Sequence, residues 1–239
     1  MRVLATDLDG TFLGGSPESR ARLTRFFRDD PDRLLLYVTG RSARSVTQLV
    51  AAGTLPRPDA MICDVGSFVA HPDGSPFEGP LLEDIRMRWG DRSDAVRAAY
   101  ASVEGLREQD AYGPYRVSYY FDAPAMLPLA IEIAEALGCD ALVSDNKYFD
   151  VLPKGVNKGS TLTRFLHDWG VRHDEVLVAG DTLNDLAMLA SGLPAVVVGN
   201  AEPALLDRLP PSDRILRATQ HGTDGIVEAL HSFKVDLNV

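Results

Sequence analysis

The fold of this chain is decided by one stretch of sequence, Val3-Leu4-Ala5-Thr6-Asp7-Leu8-Asp9-Gly10-Thr11. It begins with a short apolar run, which is typical of a buried parallel strand. Asp7 follows where that strand would end, and Gly10 allows the chain to turn sharply away. In open α/β sheets, ligands bind outside the carboxyl ends of the strands. Two carboxylates spaced two residues apart at this position therefore predict a metal-assisted phosphoryl-transfer centre.

The same stretch permits two other interpretations. Asp and Gly are common in turns for backbone reasons, so Asp-x-Asp-Gly could be only a polar turn. A calcium loop of EF-hand type would need Gly at its sixth position and a helix before it. Here the sixth position is Phe12, and no helical pattern precedes the loop. The choice between a polar turn and a phosphoryl-transfer centre therefore depends on the rest of the chain.

Length and charge limit the class of protein. The chain has 239 residues, enough for one large domain or for a core with a second, smaller domain. Its formal net charge of -10 argues against a general nucleic-acid binder, which would carry a basic stripe. Because neither a membrane-spanning apolar run nor a signal-peptide pattern is found, we expect no membrane partner and a cytoplasmic location. Cys63 and Cys139 are predicted to be buried small apolar residues.

Short apolar runs alternate with helical patterns in the first part of the chain. This alternation predicts an α/β fold built on a Rossmann-like parallel sheet. An Asp73-Gly74 pair after an alternating run predicts a small hairpin that interrupts the alternation. The predicted elements are strands at 2–7, 34–38 and 60–63, a helix that begins at Ser16-Pro17, and a helix at 41–51.

The pattern changes between Leu81 and Leu152, where helices and strands segregate as in an α+β module. We therefore predict a core domain at 1–80 and 153–239, interrupted by an inserted module at 81–152. In the module we predict helices at 93–103 and 124–137, a strand at 116–121 and a hairpin at 141–151. After it we predict helices at 159–168 and 183–190 and strands at 175–179 and 195–198.

Three further segments with polar side chains fall at predicted strand ends or helix starts. Thr39-Gly40-Arg41-Ser42 follows the second strand, and a hydroxyl with successive N–H groups at a helix start is a natural anion site. Asp181 and Asp185 lie one helical turn apart after the strand at 175–179, where they could share a cation. Lys158 stands at a helix start, where its ammonium could contact a phosphate. Each segment alone could be an ordinary turn, a helix cap or a solvated lysine, but their joint occurrence favours phosphoryl transfer.

Together these segments resemble the haloacid dehalogenase superfamily of phosphatases, which carries four such motifs in this order. The motifs in this sequence are Asp7-Leu8-Asp9-Gly10-Thr11, Thr39, Lys158, and Gly180-Asp181-Thr182 with Asp185. The inserted module is similar to the C2B cap of subfamily IIB. Within that subfamily the chain resembles the sucrose-phosphate phosphatase group in three shorter segments, which are Val65-Gly66-Ser67, Tyr148 to Pro153, and Val197 to Ala201.

The resemblance implies a Mg²⁺-dependent phosphatase that works through an aspartyl-phosphate. Asp7 would attack the phosphorus, and Asp9 would protonate the leaving alkoxide and then take a proton from water. Thr39 and Lys158 would bind the phosphoryl oxygens. The implied metal-site residues are Asp7, Asp9 through its carbonyl, Asp181, and Asp185 as a support for the metal's waters or for Lys158. The implied substrate contacts are Gly40, Arg41, Ser42 and Asn184.

The cap is expected to choose the substrate, because a lid contacts the leaving group. On its aromatic strand, we predict that Tyr115, Val117, Tyr119 and Phe121 pack against the cap helices. On the opposite face, Arg116, Ser118 and Tyr120 either make polar contacts or form a solvated surface.

The expected partner is a small phosphate ester. The sharpest hypothesis is a disaccharide phosphate such as sucrose 6-phosphate, or a mannosyl or glucosyl conjugate phosphate. Three alternatives remain open at this point. They are a broad-specificity phosphatase, a phosphomutase, and a binding protein on a phosphatase scaffold.

Overall fold

The computed structural model describes residues 1–110, 113–235 and 237. Its strands form two separate sheets, one of seven strands and one of four. The first part of the chain contains β1 (Val3–Thr6), α1 (Pro17–Arg28), β2 (Leu34–Val38), α2 (Ala43–Ala51), β3 (Ala60–Cys63), β4 (Phe68–Ala70) and α3 (Pro80–Trp89). The middle part contains α4 (Arg92–Tyr100), β5 (Leu106–Glu108), β6 (Val117–Phe121), α5 (Leu127–Ala136), β7 (Cys139–Ser144) and β8 (Tyr148–Pro153). The last part contains α6 (Lys158–Asp168), β9 (Val176–Gly180), α7 (Leu186–Leu189), β10 (Ala195–Val197), α8 (Pro203–Arg208), β11 (Ile215–Arg217) and α9 (Gly222–Ser232).

The seven-stranded sheet has the order β11-β10-β9-β1-β2-β3-β4, with β1 between β2 and β9. Every neighbouring pair is parallel except β3 and β4. In the register of the sheet, Ala5 lies opposite Leu36 on one side and Val178 on the other. Because parallel strands end at the same edge, the residues that follow β1, β2 and β9 converge there. The predicted α/β parallel core is therefore confirmed.

The central strands are buried on both faces, which explains why they read as continuous apolar runs. Successive residues of β1 enter different apolar clusters, since Leu4 packs on the side of α1 and α9 whereas Val3 and Ala5 pack on the side of α6. Each fully buried side chain of this size contributes about 1.5–3 kcal/mol relative to exposure. Burial on both faces of the sheet therefore fixes the central strands in place, and with them the position of the residues that follow these strands.

The four-stranded sheet is antiparallel and has the order β5-β6-β8-β7. Val117, Tyr119 and Phe121 of β6 are buried in one cluster with side chains of α4 and α5. The packing predicted for Val117, Tyr119 and Phe121 is therefore confirmed, whereas Tyr115 is only partly buried and packs against both this cluster and the core cluster. The β7–β8 hairpin turns at Asp145 and Asn146, whose φ values of 51° and 48° are left-handed, and three loop residues separate the paired residues Ser144 and Tyr148.

The structure differs from the sequence prediction in several elements. The helix α3, the helix α8, the strand β11 and the helix α9 were not predicted. The chain reverses after β3 at Asp64–Gly66, and Asp73-Gly74 forms a second turn that leads to a single bridge between Ala70 and Pro76. The hairpin predicted at Asp73-Gly74 is confirmed, because the N–H of His71 donates to the carbonyl of Ser75 and the N–H of Phe77 donates to the carbonyl of Val69, both at 2.9 Å. The additional reversal between β3 and β4 lacks an Asp-Gly or Asn-Gly pair, and its residues Asp64, Val65 and Gly66 are all left-handed.

Two other sequence predictions concern the domain limits and the cysteines. Ile85 of α3 packs in the core and Trp89 of the same helix packs with the smaller sheet, so α3 joins the two layers. The domain limits at 80/81 and 152/153 stay predictions. Cys63 and Cys139 are both buried and free, as expected. Across the described residues, no helix combines the length and the apolarity needed to cross a bilayer.

Candidate active site

Asp7 lies at the carboxyl end of β1, where its N–H donates to the carbonyl of Ala179 in β9 at 2.9 Å. The chain then turns away through Gly10, which has a φ of +78°. A Cβ atom on Gly10 would lie only 2.1 Å from Oδ2 of Asp181. Glycine is therefore required here both for the left-handed backbone and for the close approach of this turn to Asp181.

Lys158 is completely buried, and its ammonium joins two carboxylates of the site. Its Nζ lies 2.7 Å from Oδ1 of Asp7 and 2.7 Å from Oδ1 of Asp185. The start of α6 holds it in place, because the side chain of Asn157 accepts from the N–H of Ser160 and the hydroxyl of Ser160 accepts from the N–H of Asn157. The alternative of a solvated lysine is excluded by this burial.

Asp185 uses its second carboxylate oxygen to hold the loop that carries Asp181. Its Oδ2 accepts from the N–H of Asp181 at 2.9 Å and from the N–H of Thr182 at 3.0 Å. With Oδ1 bound to Lys158, both oxygens of Asp185 already accept charged or backbone donors. Asp185 therefore positions Lys158 and the Asp181 loop.

The site carries more negative than positive charge. Burial raises the pKa of Asp7 above its ordinary value and the charge of Asp185 adds to this, although Lys158 opposes both. Burial and the charges of Asp185 and Asp7 raise the pKa of Asp181 to about 8. Burial alone would lower the pKa of Lys158, but Asp185 and Asp7 outweigh it and raise that pKa. Three carboxylates thus share one ammonium.

This excess of buried carboxylates fits a divalent cation. Carboxylate oxygens of Asp7, Asp181 and Asp185 lie within 4.8 Å of one another. Few carboxylates facing a space for waters and phosphate oxygens are the environment that Mg²⁺ prefers. Because Asp185 is already fully hydrogen-bonded, Asp7 and Asp181 are the better candidates for direct ligands. The carboxylate of Asp9 is outside this group, and a role for its carbonyl stays a prediction.

Asp9 and Arg41 form an ion pair that was not predicted. The guanidinium binds the carboxylate of Asp9 through Nε at 2.7 Å and Nη2 at 2.6 Å. The side chain of Asp9 is 58% exposed and that of Arg41 is 33% exposed. A partly exposed pair of this kind contributes at most about 1 kcal/mol, so it can open when another anion binds Arg41.

The other predicted phosphate and substrate contacts lie in two loops at the same edge. Thr39 is buried at the end of β2, and its hydroxyl accepts from the N–H of Arg41 at 3.1 Å. The hydroxyl of Ser42 caps α2 by accepting from the N–H of Ser45. Gly40 lies between these residues, and Asn184 lies beside Asp185 in the short turn after Thr182. Their roles as substrate contacts stay predictions.

Two residues that were given no role in the sequence prediction also hold the site. The hydroxyl of Thr11 donates to Oδ1 of Asp181 at 2.8 Å. The amide of Asn200 donates to the carbonyl of Gly10 at 2.9 Å, and its oxygen accepts from the N–H of Gly222 at 2.8 Å. The position of Asn200 in the sequence could have indicated its place in the site, because it follows the strand β10 just as Asp181 follows the strand β9.

A second buried charged cluster lies where the smaller sheet meets the core, and we call it the interface triad: Asp64, Arg116 and Asp150. Arg116 precedes β6, and its Nη2 lies 3.1 Å from the carboxylate of Asp64, which follows β3. Its Nη1 lies 3.4 Å from the carboxylate of Asp150 in β8, which also accepts from the hydroxyl of Ser118. All four residues are buried. The interpretation of Arg116 and Ser118 as a solvated surface is therefore wrong, and their polar contacts are internal ones. Contact of Arg116, Ser118 or Tyr120 with a substrate stays a prediction.

The turn at Asp64–Gly66 has an unusual backbone. Asp64 and Val65 have φ values of 53° and 59°, and this left-handed region is unfavourable for a β-branched residue such as valine. Each such residue costs about 1–3 kcal/mol unless its surroundings impose the conformation. Burial raises the pKa of Asp64 to about 7, although Arg116 opposes this effect. The turn is therefore held by its contacts and not by its own preference.

The sequence of this chain is similar to the sequences of known phosphate-ester proteins over most of its length. The family model described as sucrose-6F-phosphate phosphohydrolase matches residues 1–234. The chain is 43% identical to a glucosylglycerol-phosphate synthase from Pseudomonas anguilliseptica over 97% of this chain, but it spans only 30% of the length of that protein. It is 32% identical to a mannosylfructose-phosphate phosphatase from Agrobacterium fabrum, over 96% of each chain.

A solved structure of a sucrose-phosphatase is among those that cover nearly the whole chain. It is the sucrose-phosphatase from Synechocystis sp. in complex with sucrose and phosphate. The two structures superpose with a TM-score of 0.86 at 28% sequence identity, and the alignment covers 98% of this chain and 99% of the other. Both the core sheet and the inserted smaller sheet therefore have a counterpart in that fold.

Proposed function

The chain belongs to the sucrose-6F-phosphate phosphohydrolase family of haloacid dehalogenase phosphatases, and on that premise we propose that it releases inorganic phosphate from a phosphorylated glycoside. The observation that carries the proposal is the buried contact of Lys158 with both Asp7 and Asp185, with Asp181 beside them. A fully buried lysine bound to two acids carries a large desolvation penalty, and such clusters of perturbed groups are common at functional sites. Binding and cleaving a phosphate ester is the chemistry that uses this set.

The proposed substrate class comes from what the relatives are named for. Sucrose phosphate, mannosylfructose phosphate and glucosylglycerol phosphate each join a hexosyl unit to a second, polyhydroxylated unit and carry a phosphate. We take glucosylglycerol phosphate as the first candidate, because the 43% identity extends over 97% of this chain. The matched stretch is 30% of a protein named for making that compound. A phosphatase unit in the same polypeptide would consume the product of such a synthase.

The proposed reaction has two steps. In the first, the carboxylate of Asp7 attacks the phosphorus, the bond from phosphorus to the sugar oxygen breaks, and Asp9 gives its proton to that oxygen. In the second, water attacks the aspartyl-phosphate and gives a proton to Asp9, so that phosphate leaves and Asp7 is restored. Lys158 orients Asp7 and offsets the charge of the phosphoryl oxygens. Thr39 lies at the same sheet edge, where it can bind those oxygens.

The ion pair of Asp9 with Arg41 gives substrate binding a direct consequence for catalysis. In the structure the guanidinium of Arg41 contacts both oxygens of Asp9. A phosphate ester offers Arg41 a second bidentate partner. Exchange of Asp9 for phosphoryl oxygens would free the Asp9 carboxyl to carry the proton that the leaving alkoxide needs.

The metal has a defined place in this proposal. Asp7 and Asp181, with the carbonyl of Asp9, would hold Mg²⁺ in a fully assembled site. When bound, the ion supplies positive charge that lets a carboxylate approach a phosphate dianion. Asp185 keeps Lys158 and the Asp181 loop in place from outside this ligand set.

The test is a panel of phosphate esters assayed for phosphate release with Mg²⁺ and with EDTA. The panel contains glucosylglycerol phosphate, sucrose 6-phosphate, glucose 6-phosphate and p-nitrophenyl phosphate. We expect kcat/KM for one glycoside phosphate to exceed that for the two simpler esters by at least about a hundredfold, which corresponds to about 2.7 kcal/mol of leaving-group recognition.

Other outcomes of the panel separate the alternatives. A flat profile would indicate a broad-specificity phosphatase, and a phosphorylated sugar product in place of free phosphate would indicate a phosphomutase. No phosphate release from any ester, in the presence of Mg²⁺, would contradict the enzymatic proposal and leave a binding protein. Asp7→Asn serves as the control for contaminating phosphatases, because it removes only the attacking oxygen.

A further inference from the structure

We propose that Arg116 of the inserted module is a positioning residue for phosphate binding, acting through its ion pair with Asp64 and the turn Asp64–Gly66. This inference rests on the proposed phosphatase function, but it concerns residues outside the four motifs. Its basis is a chain of contacts that leads from the smaller sheet to both phosphate-binding segments of the core.

The first link is the interface triad. Arg116 belongs to the smaller sheet and Asp64 to the core, and their side chains meet at 3.1 Å while 6% and 1% exposed. Asp150 contacts the same guanidinium from within the smaller sheet at 3.4 Å. Arg116 thus joins one acid of the core and one of its own sheet, and only the contact with Asp64 crosses between them.

The second link is the backbone of the Asp64–Gly66 turn, which contacts the Thr39 segment. The N–H of Val65 donates to the carbonyl of Thr39 at 3.1 Å, and the N–H of Asp64 donates to the carbonyl of Arg41 at 3.0 Å. These carbonyls belong to the residues on either side of Gly40. A shift of the turn would therefore move the loop that is to bind the phosphoryl oxygens.

The third link joins the same turn to Lys158. A Cβ atom on Gly66 would lie 2.3 Å from the carbonyl carbon of Asn157 and 2.7 Å from the backbone nitrogen of Lys158. The carbonyl of Gly66 accepts from the hydroxyl of Thr161 at 2.8 Å, one turn further along α6. The turn therefore packs directly against the helix start that presents the Lys158 ammonium.

The strained backbone explains why an external hold is needed. Asp64 and Val65 are both left-handed without being glycine, and such residues persist only where contacts impose them. The planar guanidinium can bind two acids at once through different nitrogens, which a lysine ammonium does less well. Arg116 supplies that hold from the smaller sheet, through its ion pair with Asp64.

The test compares two matched variants, Asp64→Asn and Asp150→Asn, at pH 8. Each removes one negative charge next to the same arginine and keeps the side-chain shape, but only Asp64→Asn weakens the contact between module and core. The measurements are kcat and KM with p-nitrophenyl phosphate, the inhibition constant of inorganic phosphate, and the melting temperature. The small ester is chosen because it lacks a glycoside, so that failure of the substrate proposal does not affect the result.

For Asp64→Asn we expect a fall in kcat of about tenfold to a hundredfold and a comparable weakening of phosphate inhibition, because small misplacements of binding groups have costs of this size. Its melting temperature should not fall, since the variant removes a buried charge from a cluster with two acids and one base. For Asp150→Asn we expect a change in kcat below about threefold. Arg116→Lys should retain more activity than Arg116→Met.

The proposal is overturned if Asp64→Asn keeps the kcat and the phosphate inhibition of the unmodified chain. It is also overturned if Asp64→Asn and Asp150→Asn lose activity equally, because the charge of the cluster and not the link to the turn would then matter. If kcat and the melting temperature of Asp64→Asn fall together, the pair of Arg116 and Asp64 has a purely structural role, and the proposal is overturned as well.

Discussion

The catalytic cluster and the interface triad are both buried groups of acids around one base, yet they differ in how completely the charge is balanced. In the catalytic cluster, Asp7, Asp181 and Asp185 share the single ammonium of Lys158. In the interface triad, Asp64 and Asp150 share the guanidinium of Arg116. The first cluster has two acids in excess of its one base, whereas the second has one acid in excess and a base with several donors.

The difference shows what each cluster can do. Burial with too little positive charge raises the pKa values of Asp7 and Asp181. The catalytic cluster is therefore suited to bind a cation and to take part in chemistry. A triad closed by a forked arginine is suited to hold two parts of the chain in one geometry. The same residue types therefore serve chemistry at one place and positioning at the other.

The largest expected contrast comes from the same substitution in both clusters. Asp7→Asn should lower kcat by at least about 10⁴-fold, because the attacking oxygen is lost, while the fold is retained. Asp64→Asn is the matched change in the interface triad and should cost about a hundredfold at most. The measurement is phosphate release at saturating substrate, with circular dichroism to verify folding. Turnover by Asp7→Asn close to that of the unmodified chain would refute the nucleophile.

The next contrast separates proton transfer from metal binding within the catalytic cluster. Asp9→Asn should lower kcat by about 10²–10⁴-fold, the usual contribution of a general acid and base. Its Mg²⁺ affinity should stay within a few-fold of the unmodified value, because only the Asp9 carbonyl is assigned to the metal. Asp181→Asn should lose that affinity. Titration of Mg²⁺ by calorimetry tests this, and equal losses of affinity in both variants would contradict the assignment.

Removal of the central base sharpens the comparison through stability. Lys158→Met and Arg116→Met each leave buried acids uncompensated, and each should lower the free energy of unfolding by about 3–5 kcal/mol. Added Mg²⁺ should restore part of the loss in Lys158→Met but not in Arg116→Met, because only the catalytic cluster fits the ion. Lys154→Met, which breaks an exposed pair with Asp140, is the control and should cost at most about 1 kcal/mol. Equal rescue by Mg²⁺ in both variants would erase the distinction between the clusters.

The smallest expected effect is a pH dependence of the response to Mg²⁺. The folded-state pKa of Asp181 is raised to about 8 from an ordinary value of 3.8, so the folded chain holds an extra proton between these values. Its contribution to stability is complete below about pH 4 and is lost as the pH rises towards 8. Mg²⁺ binds the ionised form and should therefore raise the melting temperature more at pH 8.5 than at pH 6.

The chain length sets how large a shift in melting temperature a given change in free energy produces. A domain of this size gains about 2–4 °C per kcal/mol, so the expected difference between the two pH values is a few degrees. Asp181→Asn should remove it, whereas Asp64→Asn should keep it. A melting-temperature increase that is independent of pH in the unmodified chain would place the ion elsewhere.

The elements of the core were predictable because burial constrains them strongly. The strands β1, β2 and β3 read as apolar runs since both of their faces are covered, and Ser16-Pro17 marks the start of α1 through a cap and a proline at the first turn. The helix α8 also begins with a proline, but α8 has only six residues and β11 only three, which is too short for a periodic apolar pattern to identify them. The hairpin at Asp73-Gly74 was predictable from its turn residues, whereas the reversal between β3 and β4 was not, because Asp64 and Val65 form a left-handed turn without an Asp-Gly or Asn-Gly pair.

The sequence pattern predicts that Asp7, Thr39, Lys158 and Asp181 lie near one edge of the sheet, because parallel strands end at a common edge and these residues follow strand ends or begin the intervening helix. Three contacts appear only in the folded chain: Lys158 is fully buried between Asp7 and Asp185, Arg41 binds Asp9, and Arg116 reaches Asp64. Those contacts join residues remote in sequence, and their distances depend on how helices and the inserted sheet pack against the core. The local sequence pattern predicts helices and strands, but it does not determine how those elements pack against one another or which remote side chains they bring into contact.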